Sequence, residues 1–537
     1  MRQLQQLPLA PLAASLLSAT LLVACGGSSV DTASATTSTR VLQGASTAGS
    51  SAAPAGATQA GAATAATGLA TSLATSLATS PAIDPLQPVS NEAGSALTIS
   101  STGSIDSSNP FFLAMGNGRS CASCHQPDNG WSIGPDKLAA RFNSSAGLDP
   151  VFRNVDGAVS PLAPTTTLEQ KRLAYALLLG KGLIRVGLPL PAAAEFTLAS
   201  VDDPYHYASA AELSLFRRPL PTTNLKFLSS VMWDSRETAS TSMGANCLRN
   251  VRPALCFASI DSSLLHQAND AVRGHAEAAR DLSAAQQRAI VDFEQTLFTT
   301  QINSASAGSL TAAGALGGPL ALSQTAYYFG INDLDAGDYQ TGAPFNRDVI
   351  TLFGAWRNLD RPQAPPQRGR PPVPPSATDL ARAAIARGEQ IFNNKGFNIS
   401  GVAGFNDELR RPLARGSCTS CHDAPGIGSQ SVARMFNTGV AAASRRTADL
   451  PLYTLRNSAT GETIAVSDPG AAMLSGKWKD IARFKVPSLR GLESRSPYFH
   501  DGSAASIEQL VKFYDTRFNI GYTAQEAADL AAFLKAL

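Results

Sequence analysis

Two pentapeptides, Cys121-Ala122-Ser123-Cys124-His125 and Cys418-Thr419-Ser420-Cys421-His422, decide how this 537-residue chain is read. Each sets two thiols two residues apart and an imidazole directly behind the second. That spacing lets both thiols form thioethers to one porphyrin while the histidine reaches the iron from one side, the attachment pattern of c-type haem. A redox-active cysteine pair or half of a zinc site would also use C-x-x-C. Neither needs the adjoining histidine, and no second cysteine pair lies close to either pentad. The flanks match as well. Gly118-Arg119-Ser120 precedes the first pentad and Arg415-Gly416-Ser417 the second, with Asn109-Pro110-Phe111-Phe112 and Gln390-Ile391-Phe392 further upstream. The chain therefore reads as a duplicated cytochrome unit with two covalent haem c groups, one on Cys121, Cys124 and His125, the other on Cys418, Cys421 and His422. The long interval between the two histidines assigns a large insertion to the first unit.

The remaining three of seven cysteines speak to the compartment. Residues 1–24 carry Arg2 and an apolar stretch from Leu7 to Ala24, which reads as a secretory signal rather than a spanning segment. It ends in Leu22-Val23-Ala24-Cys25-Gly26, similar to a bacterial lipoprotein box, and so makes Cys25 a lipidated first residue. The alternative is an unlipidated signal with an incidental cysteine. An extracytoplasmic place, periplasm or outer membrane, follows, with membrane attachment through the lipid alone. Cys247 and Cys256 are left over, and in an oxidising space they most simply form a disulfide. Two free buried thiols are the alternative. Residues 25–95 read as a disordered tether. Positions 26–91 hold three charged residues, Asp31, Arg40 and Asp84, and the run Leu-Ala-Thr-Ser repeats three times over 69–80. Such composition has too few large apolar groups to offset the entropy of ordering.

Charge excludes more than it assigns. Lys+Arg number 43 against 41 Asp+Glu, a net charge of +2, and only 16% of residues are charged. A nucleic-acid binder would show a basic excess, and a solvated acidic chain the reverse.

Most periodic segments predict helices, so the expected fold is mostly α, with two cytochrome c-like haem domains. Ser283 to Gln286 is a capping box leading into Ile290, Phe293 and Leu297. Thr523 to Glu526 is another, ahead of Leu530, Phe533, Leu534 and Leu537. Residues 378–392 read as the opening helix of the second unit, and the Ala/Gly/Ser-rich stretch 303–322 as a surface loop. Residues 361–375 contain seven prolines and mark an extended connector. The expected division is a signal at 1–24, the tether at 25–95, an N-terminal haem domain with its insertion at 96–360, the connector at 361–375, and a C-terminal cytochrome c domain at 376–537.

Together the paired pentads, Met232-Trp233-Asp234-Ser235-Arg236, Phe484-Lys485-Val486-Pro487-Ser488-Leu489-Arg490, and Pro497-Tyr498-Phe499-His500-Asp501-Gly502 leading to Tyr514 resemble the bacterial dihaem cytochrome c peroxidases and their MauG-like relatives. The likeness is close over about 376–537 and patchy over 96–300. Rubber-cleaving dihaem oxygenases share the same plan, so the resemblance leaves the substrate open. It implies an exported oxidoreductase that meets hydrogen peroxide or dioxygen at the first haem and shares oxidising equivalents with the second. One alternative is a peroxidase fed by a small cytochrome. Another, of a different class, is a non-enzymatic dihaem electron-transfer cytochrome.

The resemblance also distributes roles. His125 and His422 are the iron ligands next to the thioethers, and Trp233 matches the tryptophan that relays electrons between haems. Tyr514 shares a helix face with Ile507, Leu510 and Val511 behind a capping box at Ser506, and stands where peroxidases of this kind place a methionine ligand and MauG-like members a tyrosine. Phenolate favours oxidised iron where thioether favours the reduced form. A core tyrosine, with Met435 or Met473 as the ligand, is the alternative. His500 belongs near the haems or a propionate. Family peroxidases use a glutamate after the tryptophan as acid/base, but the insertion carrying Cys247 and Cys256 breaks the correspondence. His275 with Glu277 is the preferred substitute and His266 a further candidate; His206 is an alternative sixth ligand. Calcium between the two units is also implied, with no ligands assigned.

Overall fold

A computed structural model describes residues 87–239, 260–362 and 371–537. Cys25, Cys247 and Cys256, the signal segment, most of the tether and part of the proline-rich connector lie outside the described residues.

Each pentad folds into one 3-10 turn, Cys121–Ser123 and Cys418–Ser420. In both, a serine ahead of the first cysteine donates its backbone N–H to the hydroxyl of the serine three residues on, Ser120 to Ser123 at 2.9 Å and Ser417 to Ser420 at 3.1 Å. The Ser-Cys-x-Ser-Cys spelling common to both motifs thus has a structural cause: the hydroxyls close the turn that presents the thiols.

Helices surround the turns. Around the first lie α1 (Pro135–Ser145), α2 (Ile260–Gly274) and α3 (Ala284–Thr296). Around the second lie α4 (Ala377–Asn394), α5 (Ile507–Phe518) and α6 (Ala524–Lys535). The capping boxes expected at Ser283 and Thr523 are present. At Ser506 the hydroxyl accepts from Gln509 N, while Gln509 Oε1 takes the N–H of Ala505. Helices α4 and α6 cross at Gly388, where a Cβ would stand 2.0 Å from Asp529 O. No larger residue allows that approach. Phe353, Phe392 and Phe533 pack in the core beside this crossing.

The expectation of a mostly α chain is corrected by the strands. Helices take 32% of the described residues and strands 18%. A four-stranded antiparallel sheet runs in the order β1 (Val89–Asn91), β2 (Gly94–Ser100), β6 (Leu297–Ser304), β7 (Gly308–Ser309). Pairs form between β3 (Ile184–Leu188) and β5 (Leu213–Arg217), between β8 (Phe397–Ser400) and β9 (Leu413–Gly416), and between β10 (Met435–Phe436) and β13 (Phe484–Lys485). A three-stranded sheet orders β12 (Thr463–Val466), β11 (Leu452–Asn457) and β4 (Phe196–Asp202), so that a strand of the first half is completed by two of the second. The physical reason is range. β2 pairs with β6 from Leu97↔Thr300 to Ser100↔Leu297, a partner far along the chain that local periodicity does not register. Residues 303–322 are likewise not a mere surface loop, since Ala307 and Leu310 are fully buried.

Candidate functional site

Both pentad histidines are committed in the same way. His125 Nδ1 donates to Trp131 O at 3.2 Å and His422 Nδ1 to Gly428 O at 2.5 Å, a carbonyl six residues downstream in each case. This fixes the tautomer and leaves Nε2 with its lone pair, the arrangement of a metal-ligating histidine held by a backbone carbonyl. Burial lowers both imidazoles to about 4, so both are neutral. Burial also raises the four thiols, Cys418 to about 11, and none of them is paired in a disulfide. One imidazole and two thiols at each turn fall short of the four protein ligands of a structural zinc site. Two such thiols beside an Nε2 lone pair fit covalent haem c.

The first cavity, about 80 Å³, lies between the Cys121 turn and helix α2 and is lined by Cys121, Cys124, His125, Gln267, His275 and Glu294 among others. A charged chain runs out of it. Arg119 Nη1 donates to Asp156 Oδ1 and His275 Nδ1 to Asp156 Oδ2, each at 2.6 Å. Arg119 also donates to the carbonyls of Pro150, Val151 and His275. Against the effect of burial, His275 and Arg119 hold the Asp156 carboxyl below its usual range. His275 is therefore in the cavity with its ring oriented by a carboxylate. Glu277 is exposed and accepts from Asn117 Nδ2 at 2.8 Å. His206 is exposed and lines neither cavity.

Glu294 was not singled out from the sequence. It sits on α3 among Ile290, Val291 and Phe293, is 3% exposed, and its Oε2 has no hydrogen-bond partner. Burial alone pushes its carboxyl up to about 8. A signal did exist: Glu294 follows Ile290 by four residues, which puts a carboxyl on the apolar face of a capped helix.

The second cavity, about 200 Å³, is lined by Cys418, Cys421, His422 and Phe392 on one side and by Trp233, Lys485, Arg495 and His500 from other segments. Tyr514 and Tyr522 also line it, whereas Met435 and Met473 do not. Burial, with the Cys421 and Cys418 thiols adding to it, raises the Tyr514 phenol. Trp233 is placed by its own motif. Asp234 accepts from Arg217 Nη1 at 2.6 Å, and Arg217 grips Asp468 at 2.6 and 2.9 Å, all three residues at most 2% exposed. Burial opposes ionisation of Asp234, but Arg217 and Arg236 hold it well below the carboxylate range. With the loop so fixed, Trp233 Nε1 donates to Arg218 O at 2.8 Å, and the next residue, Pro219, lines both cavities. His500 stacks on Phe484 with centroids 4.3 Å apart and meets the Trp233 ring edge-on at 6.3 Å.

Glu237, His266 and Asp270 bring ligand atoms within 4.8 Å of one another, outside both cavities. An imidazole among so few donors does not suit calcium, which takes six to eight oxygens. This cluster is therefore a poor match for the calcium site that the resemblance implies.

No family model matches the chain. Among curated proteins, cytochrome c551 peroxidase of Nitrosomonas europaea is 34% identical over 127 residues, 23% of this chain and 32% of that protein. Cytochrome-c peroxidase IdrP1 of Denitromonas iodatirespirans is 30% identical over 142 residues, 23% of this chain and 37% of that protein. The chain thus spans about a third of the length of the curated relatives it matches. A solved MauG-like protein associated with microbial copper homeostasis aligns with 80% of this chain and 87% of its own at 14% identity, with a TM-score of 0.31, too low to bear on the fold. The resemblance to the cytochrome c peroxidase family, drawn from the motifs, is supported by relatives that carry that name.

Proposed function

We propose that this chain is an exported dihaem oxidoreductase that reacts with hydrogen peroxide, or dioxygen, at the Cys121 site and exchanges oxidising equivalents with the Cys418 site through Trp233. The observation that carries the proposal is the pair of matching turns, each with two half-buried thiols outside any disulfide and a histidine whose Nε2 is left free for iron. The haem supplies, when bound, an iron that binds an oxidant and exchanges electrons. His125 and His422 would hold the two irons, with Tyr514 a second ligand at the Cys418 site. At the first cavity, reduction of peroxide to two waters consumes two protons with two electrons. Glu294, kept protonated by burial, and His275, oriented by Asp156, are the groups placed to deliver them. The reading of Trp233 as the route is supported by its place in the wall of the second cavity and its Nε1 bond to Arg218 O, next to Pro219, which lines both cavities.

Tyr514 in place of a methionine favours oxidation of a protein or organic substrate over plain peroxide removal. The lipid anchor on Cys25, the Cys247–Cys256 disulfide and the division into haem units at 96–360 and 376–537 belong to the same proposal. Among the described residues no helix is long and apolar enough to cross a membrane. The test is haem content with resting-state EPR. Two haems per chain and a high-spin ferric signal altered by peroxide support the reading. Two purely low-spin haems that stay indifferent to peroxide, before and after partial reduction, make the protein an electron carrier instead.

A further inference from the structure

Most buried arginines among the described residues pair with carboxylates, Arg490 being an exception that donates to the oxygens of Gly426 and Leu537. Arg119 takes Asp156, Arg217 takes Asp234 and Asp468, Arg434 takes Asp333, and Arg483 takes Asp407 and Glu408. One wall of the second cavity breaks the pattern. Lys485 is 6% exposed, and its Nζ donates to Ser230 O at 3.0 Å and to no other described group. Arg495 donates Nε to Gly491 O and Nη2 to the carbonyls of Ser488 and Arg490, while its Nη1 has no partner among the described residues. His500 is 2% exposed, and neither ring nitrogen is hydrogen-bonded. Its nearest acid, Asp468, is 4.0 Å away and already held by Arg217. Arg218 stands behind them. It is 4% exposed, caged by the carbonyls of Lys181 and Ile133, and its N–H donates to His500 O at 2.7 Å.

These groups come from separate segments and face one cavity. Burying unpaired cations is costly unless an anion joins them. Burial lowers Lys485 to about 7 and Arg495 to about 10, and no carboxylate acts on either. The anion belongs to whatever fills the cavity. A haem carries two propionate carboxylates on the porphyrin edge away from its thioethers, so it brings the missing charge when it attaches to Cys418 and Cys421.

We propose that Lys485, Arg495 and His500, with the charge of Arg218 behind them, form the receptor for the propionates of the haem on Cys418, Cys421 and His422. The inference rests on that turn carrying haem, which haem content reads independently. The experiment compares resonance Raman spectra of the purified holoprotein with those of Lys485→Met and Arg495→Met, each neutral and of similar length. The propionate bending band of one haem shifts in both variants, haem content stays at two per chain, and the reduction potential of that haem falls as a neighbouring positive charge is lost. Should one variant fail to accumulate, His500→Phe reads the same band. Full haem content with an unmoved band in the variants overturns the inference and leaves the proposed function standing. A wild-type protein without the second haem overturns both. A saturable spectral response of the wild type to acetate, lost in the variants, assigns the wall to a free carboxylate and equally overturns it.

Discussion

Replacing Glu294 with glutamine removes one proton site from the interior, and its effect on stability follows from burial. The side chain is 3% exposed, Oε2 is unpartnered, and the carboxyl rises from an ordinary 4.5 to about 8 because burial disfavours the charged form. Below about pH 4.5 the carboxyl is protonated in both folded and unfolded chains and contributes no pH dependence. Between 4.5 and about 8 the unfolded chain releases the proton while the folded chain keeps it. The unfolded state then binds fewer protons, and stability falls as pH rises. Each pH unit is worth about 1.4 kcal/mol, so the full penalty above pH 8 is on the order of 5 kcal/mol. Glu294→Gln keeps the shape and loses the titration. Urea unfolding of both proteins from pH 5 to 8.5 checks this: the difference in stability should widen with pH in favour of the variant and level off near 8. Parallel curves across that range would mean that Glu294 ionises as it does in water, and would remove it as the proton donor of the first cavity.

Trp233→Phe leaves the Arg217–Asp234–Asp468 ion pairs in place but removes the Nε1 bond to Arg218; stopped-flow mixing with peroxide should show slower communication between the haems, and unchanged spectra and rates reject the relay. Gly388→Ala puts a methyl group 2.0 Å from Asp529 O at the α4–α6 crossing and should cost roughly 1–3 kcal/mol or more in urea unfolding, as overpacking does. Asp156→Asn strips the charge partner from Arg119 at 3% exposure and the acceptor from His275, so a loss of about 3–5 kcal/mol is expected together with a changed pH profile of peroxide turnover. A stability within 1 kcal/mol of wild type by the same assay, about the value of an exposed pair, would show that the Arg119–Asp156 pair is solvated.

What the sequence revealed and what it hid divide by the range of the interactions. The pentads, the capping boxes at Ser283 and Thr523 and the apolar face through Ile507, Val511 and Tyr514 are local patterns, and the structure forms each of those helices and turns. The strands were hidden because their partners are remote. Phe196–Asp202 alternates modestly by itself, and only β11, contributed by the other half of the chain, makes it the edge of a sheet. His275 was legible as a nearby histidine next to a capped helix, but the reason it faces the cavity, Asp156, lies in a loop with no motif of its own. Lys485, Arg490 and Arg495 sit in or near a recognisable segment, yet their lack of carboxylate partners is a property of packing that no pattern of residues encodes.

The two sites share a turn and differ in everything the turn faces. Around the first lie groups that exchange protons: Glu294 with an open oxygen, and His275 tied to Asp156. Around the second lie fixed positive charge and two phenols that burial keeps protonated in the absence of a ligand, with His500 unpaired between Phe484 and Trp233. Breaking an O–O bond requires protons at the place where the bond breaks, and only the first cavity holds carboxyl and imidazole groups poised to supply them. Storing charge is helped by neighbours that do not titrate with each electron, a condition that Arg218, Arg495 and the neutral His422 meet and that Lys485, lowered to about 7, does not. The two matching turns therefore sit in cavities whose linings differ, as the proposed duplicated haem unit requires if its copies are to do different work. This contrast in lining is what supports the proposed division of labour, oxidant chemistry at the Cys121 site and charge storage at the Cys418 site.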